Sequence, residues 1–202
     1  GRVSGVVTEK GRIACEQVVL AGGAWSRRFL GNMGIEFPQL TVVNSVMRTE
    51  PLDAGATVTC SGLKFSFRKR MDGGYTVTHN TASVADIIPD SFRLFLQFIP
   101  ALRLDWEGIR LRIGHRFLDE VKLKRHWAMG EVSPFEQVRV LDPAPVQSVL
   151  DEAAEELKRI YPVFQSMQIA EKWAGLIDVT PDVVPVLGPL PQVQGLFLAS
   201  GL

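Results

Sequence analysis

Trp173-Ala174-Gly175-Leu176-Ile177-Asp178-Val179-Thr180-Pro181-Asp182-Val183-Val184-Pro185-Val186-Leu187-Gly188 is the stretch whose reading decides the fold, together with Gly195-Leu196-Phe197-Leu198-Ala199-Ser200-Gly201 just beyond it. It opens as an apolar strand, turns on Thr180-Pro181-Asp182 and re-enters a second apolar strand that stops at a glycine. After one more turn, a short buried strand runs into Ser200-Gly201. A strand ending in a small residue and a glycine leaves backbone bare, which lets a flat ligand approach closely.

A second place with the same property lies near the start. Val18-Val19-Leu20 is a short apolar strand, followed by Ala21-Gly22-Gly23-Ala24-Trp25-Ser26. Either the glycines let backbone meet a partner, or they make a tight strand-to-helix turn with Trp25 as a core anchor. A glycine pair alone does not separate the two. Upstream, residues 3–7 and 12–15 flank the turn Thr8-Glu9-Lys10-Gly11, the pattern of a hairpin. Three such small strands make a marginal sheet by themselves. Neither G-x-G-x-x-G nor G-x-x-x-x-G-K-[ST] occurs, so no motif here cradles a pyrophosphate on its own.

Between these ends, residues 29–39 read as a loop around Gly31, Gly34 and Pro38, and residues 40–50 as a long strand stopped by Pro51. Lys64 to Arg70 alternates, with Phe65, Phe67 and Lys69 on one face and Lys64, Ser66, Arg68 and Arg70 on the other. Asp72-Gly73-Gly74 turns the chain, and Tyr75, Val77 and His79 share a face on the return. Two Phe, a Tyr and a His on one face form either plain core or an aromatic wall with one titratable group. From Pro89 the pattern becomes helical, capped by Asp90 or Ser91, carried by Phe92, Phe95, Leu96 and Ile99, and broken at Pro100. Residues 101–130 hold Trp106, Trp127, His115 and His126 without metal-ligand spacing, and both histidines read as surface or structural. A strand is expected over 137–141. A helix then starts at Asp142-Pro143, with Val146, Val149, Leu150, Ala153, Leu157 and Ile160 in one stripe, a Glu155–Arg159 pair, and Pro162 closing it.

With 202 residues, 46% of them apolar and 22% charged, the chain suits a soluble globular protein of one domain or one domain and part of another. Lys plus Arg equals Asp plus Glu at 22 each, which gives no electrostatic case for nucleic acid or an anionic membrane. No apolar run approaches the roughly 18 residues of a membrane span. Cys15 and Cys60 lack metal-type spacing, and a reduced, cytoplasmic setting is expected.

Taken together, Val18 to Ser26 and Trp173 to Gly201 resemble two motifs of the flavin-dependent D-amino-acid oxidase, glycine oxidase and sarcosine oxidase superfamily. The first is V-V-[LVN]-A-[AGS]-G-[AV]-W-S. The second is W-[AG]-G-x-x-[DPE]-x-[TS]-x-D-x-x-P-[VI]-[IL]-G followed by G-L-[FY]-[LV]-A-[ST]-G. The resemblance implies an α+β fold, in which a mixed, largely antiparallel substrate-domain sheet carries helices on one side. Partial strands of an FAD-binding Rossmann-type domain would accompany it. Residues 1–30 would belong to the FAD-binding domain, 31–172 to the substrate domain, and 173–202 to the return into the FAD-binding domain. The chain then reads as the later part of a flavoenzyme, without the N-terminal G-x-G-x-x-G segment and the glycine loop beyond Gly201.

The same resemblance implies an enzyme that oxidises the C–N bond of an amino acid or secondary amine such as a D-amino acid, glycine, sarcosine or proline. FAD would be held non-covalently in the full-length protein and absent from, and activity lacking in, this stretch alone. Ala21, Gly22, Gly23 and Trp25 match the motif beside the dinucleotide, and Ser200 and Gly201 open the loop toward the flavin. The hairpin from Phe65 to His79 resembles one that roofs the flavin, with His79 as the catalytic candidate tuning amine protonation and Phe65 against substrate. Some relatives carry a carboxylate-binding Arg where this chain has Ile177, so Arg48 and Arg68 are replacements by type. A second copy of the chain or an electron-acceptor protein would be the partner, and no metal is implied. The alternative is a non-catalytic α+β domain that binds a ligand or partner without flavin.

Overall fold

A computed structural model describes residues 1–104 and 108–201, so Trp106 lies outside the described residues. The sequence order of strands is β1 (Val6–Thr8), β2 (Gly11–Ile13), β3 (Val18–Leu20), β4 (Leu40–Thr49), β5 (Cys60–Ser61), β6 (Ser66–Lys69), β7 (Tyr75–Thr78), β8 (Ser83–Asp86), β9 (Ile109–Arg112), β10 (Ile169–Val179), β11 (Val186–Pro189) and β12 (Leu196–Ser200). The helices are α1 (Ser26–Asn32), α2 (Pro89–Arg93), α3 (Phe95–Leu104), α4 (Arg116–Lys122), α5 (Pro134–Gln137) and α6 (Gln147–Ile160), with 3-10 turns at Gly23–Trp25 and Pro162–Ser166. The result is the expected α+β class. Among the described residues no helix is long and apolar enough to cross a membrane.

β4 is the spine of a seven-stranded sheet. One edge pairs antiparallel with β10 along its length, from Leu40↔Val179 to Thr49↔Ile169. The other edge is shared, with β7 on its later half (Val46↔Thr78) and β8 on its earlier half (Val43↔Val84). Between those two pairs β4 advances three residues and its partner six, so residues 79–82 bulge out of the ladder. β6 and β5 extend the sheet beyond β7, and β9 adds in parallel to β8.

Strand alternation sorts this sheet into two unlike faces. On one, Met47, Phe65, Phe67, Tyr75 and Val77 meet Leu150, Ala153 and Leu157 of α6, with Phe164 and Met167 behind them. Tyr75, Val77, Leu150, Leu157 and Phe164 have no exposed surface, and burying each such side chain contributes roughly 1.5–3 kcal/mol. Val43, Val84, Val149 and Ala174 continue the packing. The other face carries Val42, Asn44, Val46 and Arg48 of β4, with Ile177, Gly175, Trp173 and Glu171 opposite them on β10. Only its far end is covered, where Leu94, Phe98 and Ala101 pack on Leu40 and Val179.

The two ends of the chain meet in a smaller sheet, β11-β12-β3, where β3 runs parallel to β12 (Val18↔Leu196, Leu20↔Leu198). Its core is Leu30, Ile35, Phe37, Leu196 and Leu198. β1 and β2 form the expected hairpin beside it.

Five local expectations are corrected. Of residues 29–39, expected as a loop, 29–32 are the end of helix α1; Leu30 is fully buried against the small sheet, and that contact outweighs the glycine at 31. Pro100 lies inside α3, and the break falls at Leu94 between α2 and α3. The strand expected over 137–141 does not form: Gln137 ends a helical turn over 134–137, where Ser133 and Glu136 make a capping box around a Pro at the first position, and residues 138–141 have no regular secondary structure. α6 begins at Gln147 rather than after Asp142, where the Val146 N–H donates to Ser45 Oγ at 2.8 Å. Arg159 pairs with Glu156, not Glu155. The large sheet holds β10 through Val179, and the chain leaves it at Thr180.

Candidate functional site

The three glycine-bearing segments singled out in the sequence converge on one side chain, Asp178. Its Oδ2 accepts from Ser200 Oγ at 2.6 Å, from the Gly201 N–H at 2.6 Å and from Gln39 Nε2 at 2.9 Å. Gln39, 3% exposed, also donates to the Gly23 carbonyl at 2.9 Å, and its Oε1 accepts from the Arg27 N–H at 2.9 Å. One amide therefore grips backbone on both sides of Trp25. Burial works to raise the Asp178 pKa, but the bonds from Ser200, Gly201 and Gln39 prevail and hold it below the usual carboxylate range.

Around this node the backbone is shaped for close approach. Gly23 and Gly201 have φ of +50° and +77°, the left-handed region that disfavours a Cβ. A Cβ on Gly201 would also lie 3.2 Å from Thr180 Cγ2. Val183 holds φ 58° in the turn that Thr180 braces by donating to the Val184 carbonyl, a strained position for a β-branched residue. Ser26 Oγ is buried without a hydrogen-bond partner among the described residues. Ala21 to Ser26 and Ser200-Gly201 thus offer small residues and closely approachable backbone, with the buried Ser26 hydroxyl unspent among the described residues, an arrangement that fits a flat dinucleotide cofactor.

One residue before Asp178, Ile177 points to the open face and is 40% exposed. Two residues further back is Gly175, where a Cβ would meet nothing within 4 Å. The backbone there is not left-handed, so neither conformation nor packing within the chain calls for glycine. Val42, Asn44 and Val46 line the same row of the sheet with Trp173. Asn44 Oδ1 accepts from Thr78 Oγ1 at 3.3 Å.

The remaining expected residues are placed elsewhere. Phe65 is 1% exposed, in contact with Phe67 and Tyr161 in the core under α6, and has no surface left for a substrate. The alternation of the hairpin was legible; which face α6 would cover was not. His79 is on that same covered face, 5% exposed. Its Nδ1 accepts from the Ala82 N–H at 2.9 Å and the Thr81 N–H at 3.2 Å, which closes the bulge between β7 and β8. Its Nε2 faces Glu152 at 3.8 Å, and burial pushes its pKa down while Glu152 opposes. Phe65 and His79 thus both lie on the face that α6 covers, whereas the resemblance implied that the aromatic and His side chains of this hairpin roof the flavin.

Arg48 and Arg68 do lie on the open face, on either side of Thr76. Arg48 is held by Glu171 at 2.8 Å, whereas Arg68 is exposed and unpaired among the described residues. Glu171 is six residues before Ile177 on β10, which at about 3.3 Å per residue puts the Arg48 row about 20 Å from Ile177. The arginines and Ile177 do not converge. Gln39 was missed altogether, since a lone Gln in a glycine- and proline-rich segment carries no sequence signal.

A cavity of about 310 Å³ lies between α1, α2 and α4. It contains an ion-pair cluster: Asp90 bonds Arg27 at 3.0 Å and Arg125 at 2.8 Å, and Arg28 bonds Glu120. Burial pushes the Asp90 pKa up, and the guanidinium bonds of Arg125 and Arg27 overcome it, bringing it to about 2. Trp25 meets Phe135 edge-on at 5.2 Å, and Trp127 does the same at 5.3 Å. The Trp25 ring is therefore half-buried at the cavity wall, held edge-on against Phe135.

This geometry agrees with known proteins. The chain is 27% identical to a glycine oxidase of Pseudomonas aeruginosa over 99% of its length and 40% of that protein. It is 25% identical to a D-amino acid dehydrogenase of Sinorhizobium medicae over 100% of its length and 35% of that protein. The chain thus spans about 40% or less of these curated relatives. Among solved structures, an L-amino acid deaminase from Proteus myxofaciens in complex with anthranilate superposes with a TM-score of 0.92 at 32% identity, covering 99% of this chain and 45% of that one. Glycine oxidase from Geobacillus kaustophilus shares the fold, with a TM-score of 0.61 at 15% identity over 98% of this chain and 39% of that one. Residues 1–202 match the family model described as FAD dependent oxidoreductase, and the chain belongs to that family.

Proposed function

We propose that this chain supplies the substrate-facing sheet and two cofactor-facing loops of an enzyme that oxidises the C–N bond of an α-amino acid with FAD. The observation that carries the proposal is β10: it presses Asp178 against Gly23 and Gly201 while turning Gly175 and Ile177 to the open face. Bound FAD supplies the two-electron acceptor. Ala21, Gly22, Gly23 and Trp25 would hold it non-covalently from one side through backbone, and Ser200 and Gly201 from the other. The sheet around Gly175 excludes water and fixes the substrate against it.

The substrate we favour bears an apolar side chain. Ile177, Val42, Val46 and Trp173 offer carbon where an arginine would suit glycine, and the L-amino acid deaminase is the stronger structural likeness. Arg68 is an unpaired cation on that face among the described residues, but its distance favours a role in attracting anionic substrate rather than gripping it beside Ile177. His79, which was the candidate for tuning amine protonation, is better explained by the bulge it closes.

Anaerobic bleaching of the flavin tests the proposal. The full-length polypeptide is mixed with L- and D-amino acids, glycine, sarcosine and proline, and apolar α-amino acids should reduce the flavin fastest. A full-length polypeptide that takes up no FAD would instead support the non-catalytic ligand-binding domain.

A further inference from the structure

Gln39 and Asp178 belong to neither cofactor-facing loop, yet between them they bond both. Gln39 reaches from the residue before β4, accepts from the Arg27 N–H and donates to the Gly23 carbonyl. Asp178, near the end of β10, accepts from Ser200 Oγ and the Gly201 N–H on a single oxygen. The two side chains bond each other at 2.9 Å, and Gln39 Nε2 lies the same distance from Ser200 Oγ. β4 and β10 are paired strands of the large sheet, so the linkage ties the substrate-facing sheet to both loops of the smaller one.

We propose that Gln39 and Asp178 are positioning residues that clasp the Gly23 and Gly201 loops in their cofactor-binding arrangement, and that the clasp works only while Asp178 is ionised. This rests on the FAD reading above. Three donors converge on one oxygen, and an anionic oxygen accommodates them far better than a neutral carboxylic acid, which must also find an acceptor for its own proton. The nearest acceptor for that proton is Ser200 Oγ, which would have to turn its own hydrogen away from Asp178 to take it. Charged groups on the surrounding elements are engaged elsewhere. Arg27 is bonded to Asp90 and the Phe37 carbonyl, and Arg116, across from Thr41, to Thr41 Oγ1, Asp86 and Glu120. Asp178 is therefore held ionised by hydrogen bonds against the opposing effect of burial, and its protonation would loosen Gly201 and Ser200 together.

The test measures the FAD dissociation constant of the full-length polypeptide by flavin fluorescence from pH 8 down to well below 3.8, the ordinary Asp value from which Asp178 is lowered, with circular dichroism at each pH, for wild type, Gln39→Ala, Asp178→Asn and the double variant. Wild type should lose affinity as pH falls through the Asp178 pKa. Asp178→Asn should bind FAD about tenfold more weakly at pH 8 and show no such acid step. Gln39→Ala should weaken binding about as much, and the double variant should be no weaker than Asp178→Asn, since partners in one linkage are not additive. Circular dichroism confirms that each variant is folded; if Asp178→Asn does not fold, Gln39→Ala and the wild-type pH curve decide. Folded variants that bind FAD as wild type does, with the acid step intact, overturn the clasp and leave the FAD reading standing. A wild type that binds no FAD at any pH overturns the FAD reading itself.

Discussion

Replacing Gly175 with valine should stabilise the protein and impair it at the same time. In a strand interior glycine is weaker than alanine by roughly 0.5–1 kcal/mol, and the strand scale as a whole spans about 1 kcal/mol with valine near its favourable end. Those gains are usually cancelled by clashes, but a Cβ here would meet nothing within 4 Å, and the backbone is not left-handed. Gly175→Val should thus add about 1 kcal/mol, a rise in Tm of about 2–4 °C for a chain of this size. The same side chain would project into the space beside Ile177 and Trp173 where a substrate is proposed to lie. Methyl groups forced into a fitted contact cost about 1–3 kcal/mol, which is about 5- to 150-fold in KM. The assay pairs a thermal melt of the flavin-free protein with stopped-flow flavin reduction on one preparation. A Tm that falls would refute the account of the empty space. An unchanged KM would refute the placement of the substrate over Gly175.

Three further outcomes follow from the packing and the charges. Leu157→Ala, at a residue with no exposed surface between α6 and the sheet, should cost about 2–5 kcal/mol by denaturant titration. Asp90 titrates at about 2 instead of 3.8, so its stabilisation is present above pH 4 and is lost as pH falls toward 2. Asp90→Asn should therefore lower stability at pH 7 by about 2 kcal/mol, and by much less near pH 2. The His79 pKa is pushed down by burial, so the fold favours its neutral form; stability should be full above pH 6.5 and decline as pH falls through the lowered value. A His79→Asn variant, which keeps an acceptor for the Thr81 and Ala82 N–H groups, should lose that pH dependence while flavin reduction keeps its pH profile. A shifted reduction profile would return His79 to the site.

The strands were readable because their signals are local: alternation over residues 64–79, β-branched runs at 40–49, and glycines where strands stop. Helices decided by contact were not. Residues 26–32 contain a glycine and are followed by another, and only the burial of Leu30 against Leu196 and Leu198 makes them a helix. Facing was half legible. The sequence shows that Phe65, Phe67, Tyr75 and His79 share a side, but α6 decides that this side is core, and α6 lies some seventy residues away. The motif glycines at 23 and 201 could be named from sequence because a glycine requirement is a backbone property. Gln39 could not, because its role exists only once four separate segments have come together.

The parallel pairing of β3 with β12 has a consequence for the time at which this protein can fold. Val18 to Leu20 are translated before their partners at 196–198, which leave the ribosome only after some 176 further residues, counted from 20 to 196. At about 5–20 residues per second that is on the order of ten seconds or more. Throughout that interval Leu30, Ile35 and Phe37 lack half of the surface they will pack against. Nascent chains arrested before residue 196 should therefore bind chaperones more strongly than chains extended past residue 198.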